Sequence, residues 1–323
     1  MPHPRSSITV AALLGPTAVG KSRIAVEIAP DLAAEIVSVD SMQVYRDMDI
    51  GTAKPDIEQR QLVPHHLLDV ADPRHDFSVS RFQYEAREAI EDIASRGNVP
   101  LLVGGTGLYF EAVVFDLLFP PGSCDDELRR RLEEWATEDP EGLRRHLQEI
   151  DPDFAAGEGF ANLRRVIRAM EVYERTGKPF SSLQRKRGEQ RLYYSYAGVV
   201  INAPRKDLYQ AIDRRVDEMF AAGLVDEVRN LAITGGISRT ARQALGYKEV
   251  LDHLDRDIPL EETIFNIKRR SRNYAKRQLT WFRRLPGLHW YELGEDELSG
   301  GPTRTAIAVR CYLEEELAKM DTG

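Results

Sequence analysis

The segment from Gly15 to Ser22, GPTAVGKS, matches the phosphate-loop pattern G-x-x-x-x-G-K-[ST]. It lies between an apolar run, Ile8 to Leu14, that predicts a buried strand and a stretch with helical periodicity, Lys21 to Ala29. Glycines let backbone N–H groups turn toward phosphate oxygens, and the positive end of the helix points at the same place. Lys21 adds a cation, and the Ser22 hydroxyl can reach a phosphate-bound Mg²⁺. The predicted loop comprises Gly15, Pro16, Thr17, Ala18, Val19, Gly20, Lys21 and Ser22.

Further short apolar segments predict the rest of a sheet. Glu35 to Asp40 and Pro100 to Gly104 have the nearly all-apolar, β-branched character of strands buried on both faces of a parallel sheet. His66 to Val70 is another candidate strand, and Ser80 to Ser95 has the pattern of an amphipathic helix. Because strands and helices alternate, we predict an α/β fold, with a P-loop NTPase-like parallel sheet flanked by helices.

The pattern changes at about Gly122, where charged helical segments begin and no clear strand follows until Tyr193 to Asn202. We interpret the interval as an all-helical domain inserted into the sheet domain, because the later strand returns the chain to the sheet. The predicted catalytic core therefore comprises residues 1–121 and 192–323, and the insertion residues 122–191. The predicted helices beyond Gly122 are Asp125 to Trp135, Gly142 to Glu149, Leu163 to Arg175, Lys206 to Ala222, Leu224 to Ile233 and Leu260 to Arg284.

Composition excludes several classes of protein. No apolar run approaches the roughly 18 residues that cross a bilayer, and the N-terminus lacks the apolar region of a secretory signal, so we expect a cytoplasmic protein without membrane contact. The two cysteines, Cys124 and Cys311, have no Cys or His neighbours at ligand spacing. We therefore expect structural thiols and neither a disulfide framework nor a zinc site.

The formal net charge of −8 argues against a nucleic-acid partner, but the local distribution of charge points the other way. Thr263 to Leu285 contains eight Lys or Arg and no Asp or Glu, with Tyr274 and Trp281 among them. Asn162 to Arg191 contains nine basic and three acidic residues. Basic stretches with aromatic residues suit phosphates and unstacked bases, although a solvated helix face gives the same pattern.

Two strand ends supply further polar groups. Asp40 ends the second predicted strand, and GGTGLY, Gly104 to Tyr109, follows another and includes Thr106. The carboxyl ends of parallel strands are where α/β sheets bind ligands, so we expect both groups near the phosphate loop. Asp40 could hold Mg²⁺, orient a nucleophile, accept a proton or simply cap a turn. Tyr109 could line the site or pack behind the glycines.

The same blocks, in the same order, resemble the tRNA dimethylallyltransferase (isopentenyltransferase) family of bacterial type. The resemblance extends from about Val10 to Arg284. It is carried by GPTAVGKS, DSMQVYRDMDIGTAKP, PHHLLDV, GGTGLY, NLRRVIRAMEV, GKP, DRRVDEM, QALGYKE and KRQLTWFR. Only the phosphate loop is specific by itself, and it is the order of the blocks that carries the resemblance.

The resemblance implies a reaction. Family members transfer the dimethylallyl group of dimethylallyl diphosphate to N6 of adenine 37, next to the anticodon of tRNA, and release diphosphate. The phosphate loop would then bind the diphosphate and not a nucleotide, although ATP binding stays open. Lys21, Arg215, Thr106 and Mg²⁺ at Ser22 would stabilise the departing diphosphate. Asp40 matches the general base that takes the proton of N6.

The resemblance also implies a partner and its contacts. We expect a monomer that extrudes the target adenine of a tRNA anticodon stem-loop, with the insertion contacting the tRNA. The residues that match tRNA-contacting segments are Asp40, Ser41, Met42, Gln43, Thr106, Arg164, Arg165, Val166, Ile167, Arg168, Arg242, Gln243, Gly246, Tyr247, Lys248, Lys276, Arg277, Gln278, Trp281 and Arg283.

Other interpretations stay open at this point. An ATP-dependent small-molecule kinase would use the same phosphate loop and carboxylate but would leave the basic stretches without a role. An adenylate isopentenyltransferase would use a free nucleotide as acceptor. A purely RNA-binding module would have no need of a phosphate loop. Trp281 and Phe282 could be core residues, and His65 and His66 are interpreted as structural.

Overall fold

The computed structural model describes residues 6–117, 119, 126–183, 191–294, 297 and 303–321. Within them, one parallel sheet of six strands has the order β3-β2-β4-β1-β5-β6, which confirms the predicted α/β fold class. The strands are β1 Thr9–Leu14, β2 Ala34–Val39, β3 His65–His66, β4 Val99–Gly104, β5 Ser195–Asn202 and β6 Leu288–Glu292.

Helices flank the sheet and build the insertion. The α-helices are α1 Lys21–Ile28, α2 Ile57–Leu62, α3 Val79–Ser95, α4 Gly107–Val114, α5 Asp126–Glu138, α6 Pro140–Ile150, α7 Pro152–Ala155, α8 Leu163–Thr176, α9 Phe180–Leu183, α10 Arg205–Ala221, α11 Leu224–Ile233, α12 Tyr247–Arg256, α13 Leu260–Phe282 and α14 Thr303–Asp321. In the described part of the chain, no helix combines the length and the apolar character needed to cross a membrane.

Four strands confirm the sequence predictions because their side chains are almost all buried: β1, β2, β4 and β5. The candidate strand at His66 to Val70 is wrong beyond His66, since Leu67 and Asp69 have φ angles of 63° and 59° that end the pairing with β2. Strand β6 was not predicted. Its sequence, LHWYE, is half exposed at the edge of the sheet and lacks the all-apolar pattern of the inner strands.

The insertion has a hydrophobic core of its own. Contacts divide the chain into one compact unit, Met1–Val114 with Leu192–Gly323, and a second, Phe115–Arg191, so the first boundary lies before the predicted Gly122. In the first unit, the N–H of Tyr193 donates to the carbonyl of Val114 at 2.8 Å, which brings the two ends of the interrupted core together. The core of the second unit is built by Leu128, Leu132, Ala136, Leu143, Leu147, Val166, Ile167, Ala169 and Met170.

The strand register places three chain segments at one level of the sheet. Leu14 pairs with Gly104, and Gly104 pairs with Val39, so the three residues share a row. The residues that follow these three in sequence, Gly15, Asp40 and Gly105, therefore lie at the same edge of the sheet. This edge is the carboxyl end of the parallel sheet.

Gly104 is required by packing within this row. A Cβ at this position would lie 2.1 Å from the carbonyl oxygen of Val39, which is backbone of the neighbouring strand and cannot rotate away. We expect Gly104→Ala to lower the free energy of unfolding by about 1–3 kcal/mol or more, as overpacked core substitutions do. Chemical denaturation would measure the change.

Gly294→Ala is the matched control. Among the described residues, its Cβ would meet only the flexible end of Glu297, at 3.4 Å, and Gly294 is exposed. Equal stabilities of the two variants would contradict the close approach between β2 and β4.

Candidate active site

A pocket opens at the carboxyl edge of the sheet. It is formed by the phosphate loop, the ends of β2 and β4, the segment around Thr52, and helices α10 and α13. All of these belong to the first compact unit. The pocket is lined by Thr17, Lys21, Ser22, Ala25, Ile36, Ser38, Asp40, Gln43, Thr52, Ala53, Pro55, His65, Val103, Gly104, Gly105, Arg215, Tyr274 and Gln278.

The phosphate loop has the geometry that its sequence predicts. Gly15 has a φ angle of 152°, and a Cβ there would lie 2.4 Å from the carbonyl oxygen of Ile201. Helix α1 begins at Lys21, directly after Gly20, whose φ angle is 86°. The helix therefore presents the N–H groups of its first turn at the pocket, and this is the end of a helix that attracts anions.

Lys21 is held across the mouth of the loop. Its Nζ donates to the carbonyl of Pro16 at 2.6 Å. Burial and, to a lesser extent, the positive charge of Arg215 lower the pKa of Lys21 to about 7, against the opposing effect of the Asp40 carboxylate. Burial also lowers the pKa of Arg215. Two cations in a poorly solvated pocket favour an anionic ligand, because such a ligand would supply the charge that water does not.

Asp40 both caps a turn and lines the pocket. Its Oδ1 accepts the N–H of Met42 at 2.9 Å and, at the longer distance of 3.4 Å, that of Gln43. The turn-capping role and a chemical role are therefore compatible, because the bonds to the turn use one carboxylate oxygen. Ser41 and Met42 are half-buried beside it.

Thr106 is joined to the segment that carries Asp40. Its Oγ1 accepts the N–H of Ser41 at 3.2 Å and lies 3.4 Å from the hydroxyl of the same serine. Burial, followed by the charge of Asp40, raises the pKa of Tyr274 of α13 to about 12. Tyr274 lines the pocket but was predicted only as an aromatic residue of a basic stretch. Its place on α13, opposite the ends of β2 and β4, is not readable from the spacing.

Arg215 and Gln43 are held by the same stretch of backbone. Arg215 donates to the carbonyl of Thr52 at 3.4 Å. The amide of Gln43 donates to the carbonyls of Thr52 and Ala53, both at 3.3 Å, while its oxygen accepts the hydroxyl of Ser38 at 2.9 Å. Sequence reasoning identified Arg215 and Gln43 through the resemblance but missed Thr52 and Ser38.

Gln278 is buried at the wall of the pocket. It is 5% exposed; its oxygen accepts the N–H of Thr17 at 2.9 Å, and its amide donates to the carbonyl of Gly105 at 2.9 Å. Gln278 thus ties α13 to the phosphate loop and to the end of β4. Gln278 also lines the pocket, so its contact with tRNA stays a prediction.

Other predicted tRNA contacts are buried as well. Val166 and Ile167 belong to the core of the insertion, and Tyr247 is 0% exposed with its hydroxyl bonded to Glu227 at 2.5 Å. Gly246 is buried at the start of α12. A contiguous motif carries both faces of a helix, so it includes residues that pack inward.

The basic side chains of those motifs are more accessible. Arg168 is half-buried and paired with Glu171 at 3.3 Å, and Arg242 is half-buried. Trp281 is half-buried with its ring over Gly107, and Phe282 is a core residue. The exposed residues of the predicted set are Arg164, Arg165, Gln243, Lys248, Lys276, Arg277 and Arg283.

The structure also places the tyrosine, histidine and cysteine residues for which the sequence left a role open or predicted a structural one. Tyr109 is buried, with its ring 4.1 Å from that of Phe82, so it packs behind the glycines. His66 pairs with Glu35 at 2.7 Å, whereas His65 also lines the pocket. Cys311 is exposed, contrary to the expectation of a structural thiol, because it lies on the outer side of α14; Cys124 lies outside the described residues.

The oxygen ligands in the pocket suit a magnesium ion held through a substrate. Ser22 and Asp40 offer a hydroxyl and a carboxylate within one pocket. Among the described residues, no group of three or more His, Cys, Asp and Glu is arranged to hold a metal by itself. Mg²⁺ is commonly bound by one or two protein oxygens together with phosphates and water, so these residues fit it.

The sequence of this chain is similar to isopentenyl and dimethylallyl transferases. The family model described as IPP transferase matches residues 43–285, and the one described as Isopentenyl transferase matches residues 8–68. A tRNA dimethylallyltransferase of Geobacillus thermodenitrificans is 47% identical over 290 residues, which are 89% of this chain and 91% of the relative. One from Moorella thermoacetica is 47% identical over 295 residues, 90% of this chain and 91% of the relative.

Solved structures of such enzymes are similar to this chain as well. A tRNA isopentenylpyrophosphate transferase of Bacillus halodurans superposes with a TM-score of 0.68 at 40% identity, covering 98% of this chain and 100% of the other. A eukaryotic dimethylallyltransferase acting on tRNA gives a TM-score of 0.77 at 29% identity, covering 93% and 78%. The similarity therefore extends over nearly the whole chain.

The low pKa of Lys21 predicts proton uptake when an anion binds. Inorganic diphosphate should raise that pKa above its free value of about 7, so that binding at higher pH captures a proton. The contribution of Lys21 to the affinity should be constant below that pH and should fall as the pH rises above it. Calorimetry at about pH 8 in buffers of different ionisation enthalpy would count the protons.

Lys21→Arg provides the control, since a guanidinium stays charged throughout this range. Proton uptake by diphosphate itself is common to both proteins and cancels. If both proteins take up the same number of protons, Lys21 is already fully charged in the free site.

Proposed function

This chain belongs to the IPP transferase family of tRNA dimethylallyltransferases, and we propose that it transfers the dimethylallyl group of dimethylallyl diphosphate to N6 of adenine 37 in tRNA. The observation that carries the proposal is one pocket that combines the phosphate loop, two buried cations and a carboxylate. Lys21 and Arg215 suit the diphosphate, and Asp40 suits the amine that attacks.

The residues of the pocket fit the bond changes of this transfer. The bond between the allylic carbon and the diphosphate oxygen breaks, and its electron pair leaves with the diphosphate. The N–H groups at the start of α1, together with Lys21 and Arg215, stabilise the charge that develops on that oxygen. The lone pair of N6 forms the new C–N bond, and Asp40 takes the N6 proton. Mg²⁺, held by Ser22 and the diphosphate, would neutralise further charge on the leaving group.

The acceptor is proposed to lie against exposed basic residues. Lys276, Arg277 and Arg283 of the segment from α13 onward are exposed, and Arg277 lies over the ring of Tyr274 at 5.6 Å. Tyr274 lines the pocket, so this part of α13 connects the exterior of the core with the site. In the insertion, Arg164 and Arg165 are exposed and suit phosphates in the same way. We also propose a monomeric, cytoplasmic enzyme.

The direct test uses radiolabelled dimethylallyl diphosphate, Mg²⁺ and unmodified tRNA. Labelled tRNA that yields the prenylated adenosine on digestion would support the function. Parallel reactions with AMP or ATP as acceptor examine the free-nucleotide alternative. Release or transfer of the γ-phosphate of ATP, without prenyl transfer, would instead establish a kinase.

Asp40→Asn separates catalysis from binding. The amide keeps an oxygen for the N–H of Met42, so the turn should stay folded, but it cannot accept a proton. We expect the single-turnover rate to fall roughly 10²-fold or more, the scale of a general base, with both substrates still bound. Near-normal turnover would remove Asp40 from the proton transfer.

Lys276→Ala with Arg277→Ala tests the basic face of α13. Each lost phosphate contact should flatten the slope of log affinity against log salt by about one unit, while diphosphate binding stays nearly unchanged. Fluorescence titrations with tRNA at several salt concentrations would measure the slope.

The control for this pair is Arg304→Ala with Lys319→Ala. Both residues are exposed on α14, and the substitution changes the net charge by the same amount. An unchanged slope for Lys276 and Arg277, or an equal change in the control, would show that this face of α13 is a solvated surface.

A further inference from the structure

Glu227 of α11 holds a segment of backbone far from it in sequence. Its Oε2 accepts the N–H groups of Asp49 at 2.9 Å and Ile50 at 2.7 Å, and its Oε1 accepts that of Gly51 at 3.2 Å. Three consecutive N–H groups that converge on one carboxylate form an anion-binding concavity. Here the anion is a side chain of the protein itself.

The residues that follow this segment, Thr52 and Ala53, line the pocket. Directly after Gly51, the carbonyl of Thr52 accepts hydrogen bonds from the side chains of Gln43 and Arg215. The carbonyl of Ala53 accepts another from Gln43. The N–H groups of residues 49–51 thus face Glu227, while the carbonyls of Thr52 and Ala53 orient two side chains of the site. A shift of this backbone moves both side chains together, because each is held by these carbonyls.

Tyr247 fixes the carboxylate in turn. Its hydroxyl donates to Oε1 of Glu227 at 2.5 Å, and burial, followed by the charge of Glu227, raises the pKa of Tyr247 well above its ordinary value. The hydroxyl therefore remains a donor. Its ring lies on Gly51, where a Cβ would be 2.4 Å from a ring carbon. Tyr247 thus contacts both Glu227 and the segment of backbone that Glu227 holds.

The turn is also anchored independently of Glu227. The Nζ of Lys54, whose side chain is 1% exposed, lies 2.7 Å from Asp49 and 2.5 Å from Asp69. The hydroxyl of Thr52 donates to the carbonyl of Met48 at 2.5 Å. Loss of Glu227 should therefore shift the turn without unfolding it.

We propose that Glu227 is a positioning residue for prenyl transfer, acting through the backbone of residues 49–53 on Arg215 and Gln43. The inference rests on the proposed function and adds to it a residue outside the pocket. A carboxylate is required because each oxygen must accept hydrogen bonds, whereas an amide in either orientation presents one NH₂ group to a donor.

The first experiment compares Glu227→Gln with Asp226→Asn. Asp226 precedes Glu227 on α11, carries the same charge, is exposed, and pairs with Arg229 on the same helix. We expect Glu227→Gln to lose at least about tenfold in kcat/KM for dimethylallyl diphosphate, the scale of a small misplacement of catalytic groups. Asp226→Asn should match the wild type, and both should melt within a few degrees of it.

The second experiment is a double-mutant cycle with Arg215→Ala. If Glu227 acts through Arg215, the loss caused by Glu227→Gln should shrink by roughly half or more on a logarithmic scale once Arg215 is absent. Fully multiplicative effects would overturn the proposed route. A lower melting temperature with unchanged kcat/KM would show a merely structural role and overturn the proposal.

The two levels of inference fail differently. A wild-type protein that does not prenylate tRNA would refute the proposed function. An active wild type with an equally active Glu227→Gln variant would refute only the role of Glu227.

Discussion

The common register of parallel strands is the constraint on which the site depends. Leu14, Gly104 and Val39 lie in one row, so the chain segments that begin at Gly15, Gly105 and Asp40 leave the sheet side by side. In an antiparallel sheet neighbouring strands would leave at opposite edges, and the segment that begins at Gly105, after β4, would be separated from both the phosphate loop and Asp40. Gln278 then joins two of these segments, because its carboxamide oxygen accepts the N–H of Thr17 and its NH₂ group donates to the carbonyl of Gly105.

Much of this arrangement can be predicted from the sequence. Apolar strands buried on both faces and a phosphate loop in its proper context are local signals, so β1, β2, β4, β5 and the place of Asp40 follow directly. Edge strand β6 was not predicted, because a half-exposed strand lacks the all-apolar pattern of a buried one. Glu227 and Tyr274 could not be assigned for another reason: their neighbours are distant in sequence. No spacing rule relates α11 to the turn at Thr52, or α13 to the ends of β2 and β4. Motifs also mislead, as Val166 and Tyr247 show, when the inward face of a helix is read together with its outward face.

Electrostatics in this protein is a matter of place and not of total charge. The net charge is −8, yet the pocket contains two cations whose charged forms are disfavoured by burial. A bound anion would offset the cost of keeping these two buried groups charged. The exposed basic residues of α13 act differently. They remain solvated, and their attraction to a polyanion is screened by salt over about 8 Å at physiological ionic strength.

The hydrogen bond between Val114 and Tyr193 bears on how such a protein could have evolved. It brings the two ends of the core chain together at the point where the insertion begins and ends. Because the insertion also has its own hydrophobic core, the genetic segment that encodes it could be gained, lost or exchanged at a single junction. The register of β5 beside β1 would survive such an event, since the pairing from Thr9 with Ser195 to Leu14 with Val200 involves no residue of the insertion. The insertion and the sheet domain can thus diverge separately within one gene.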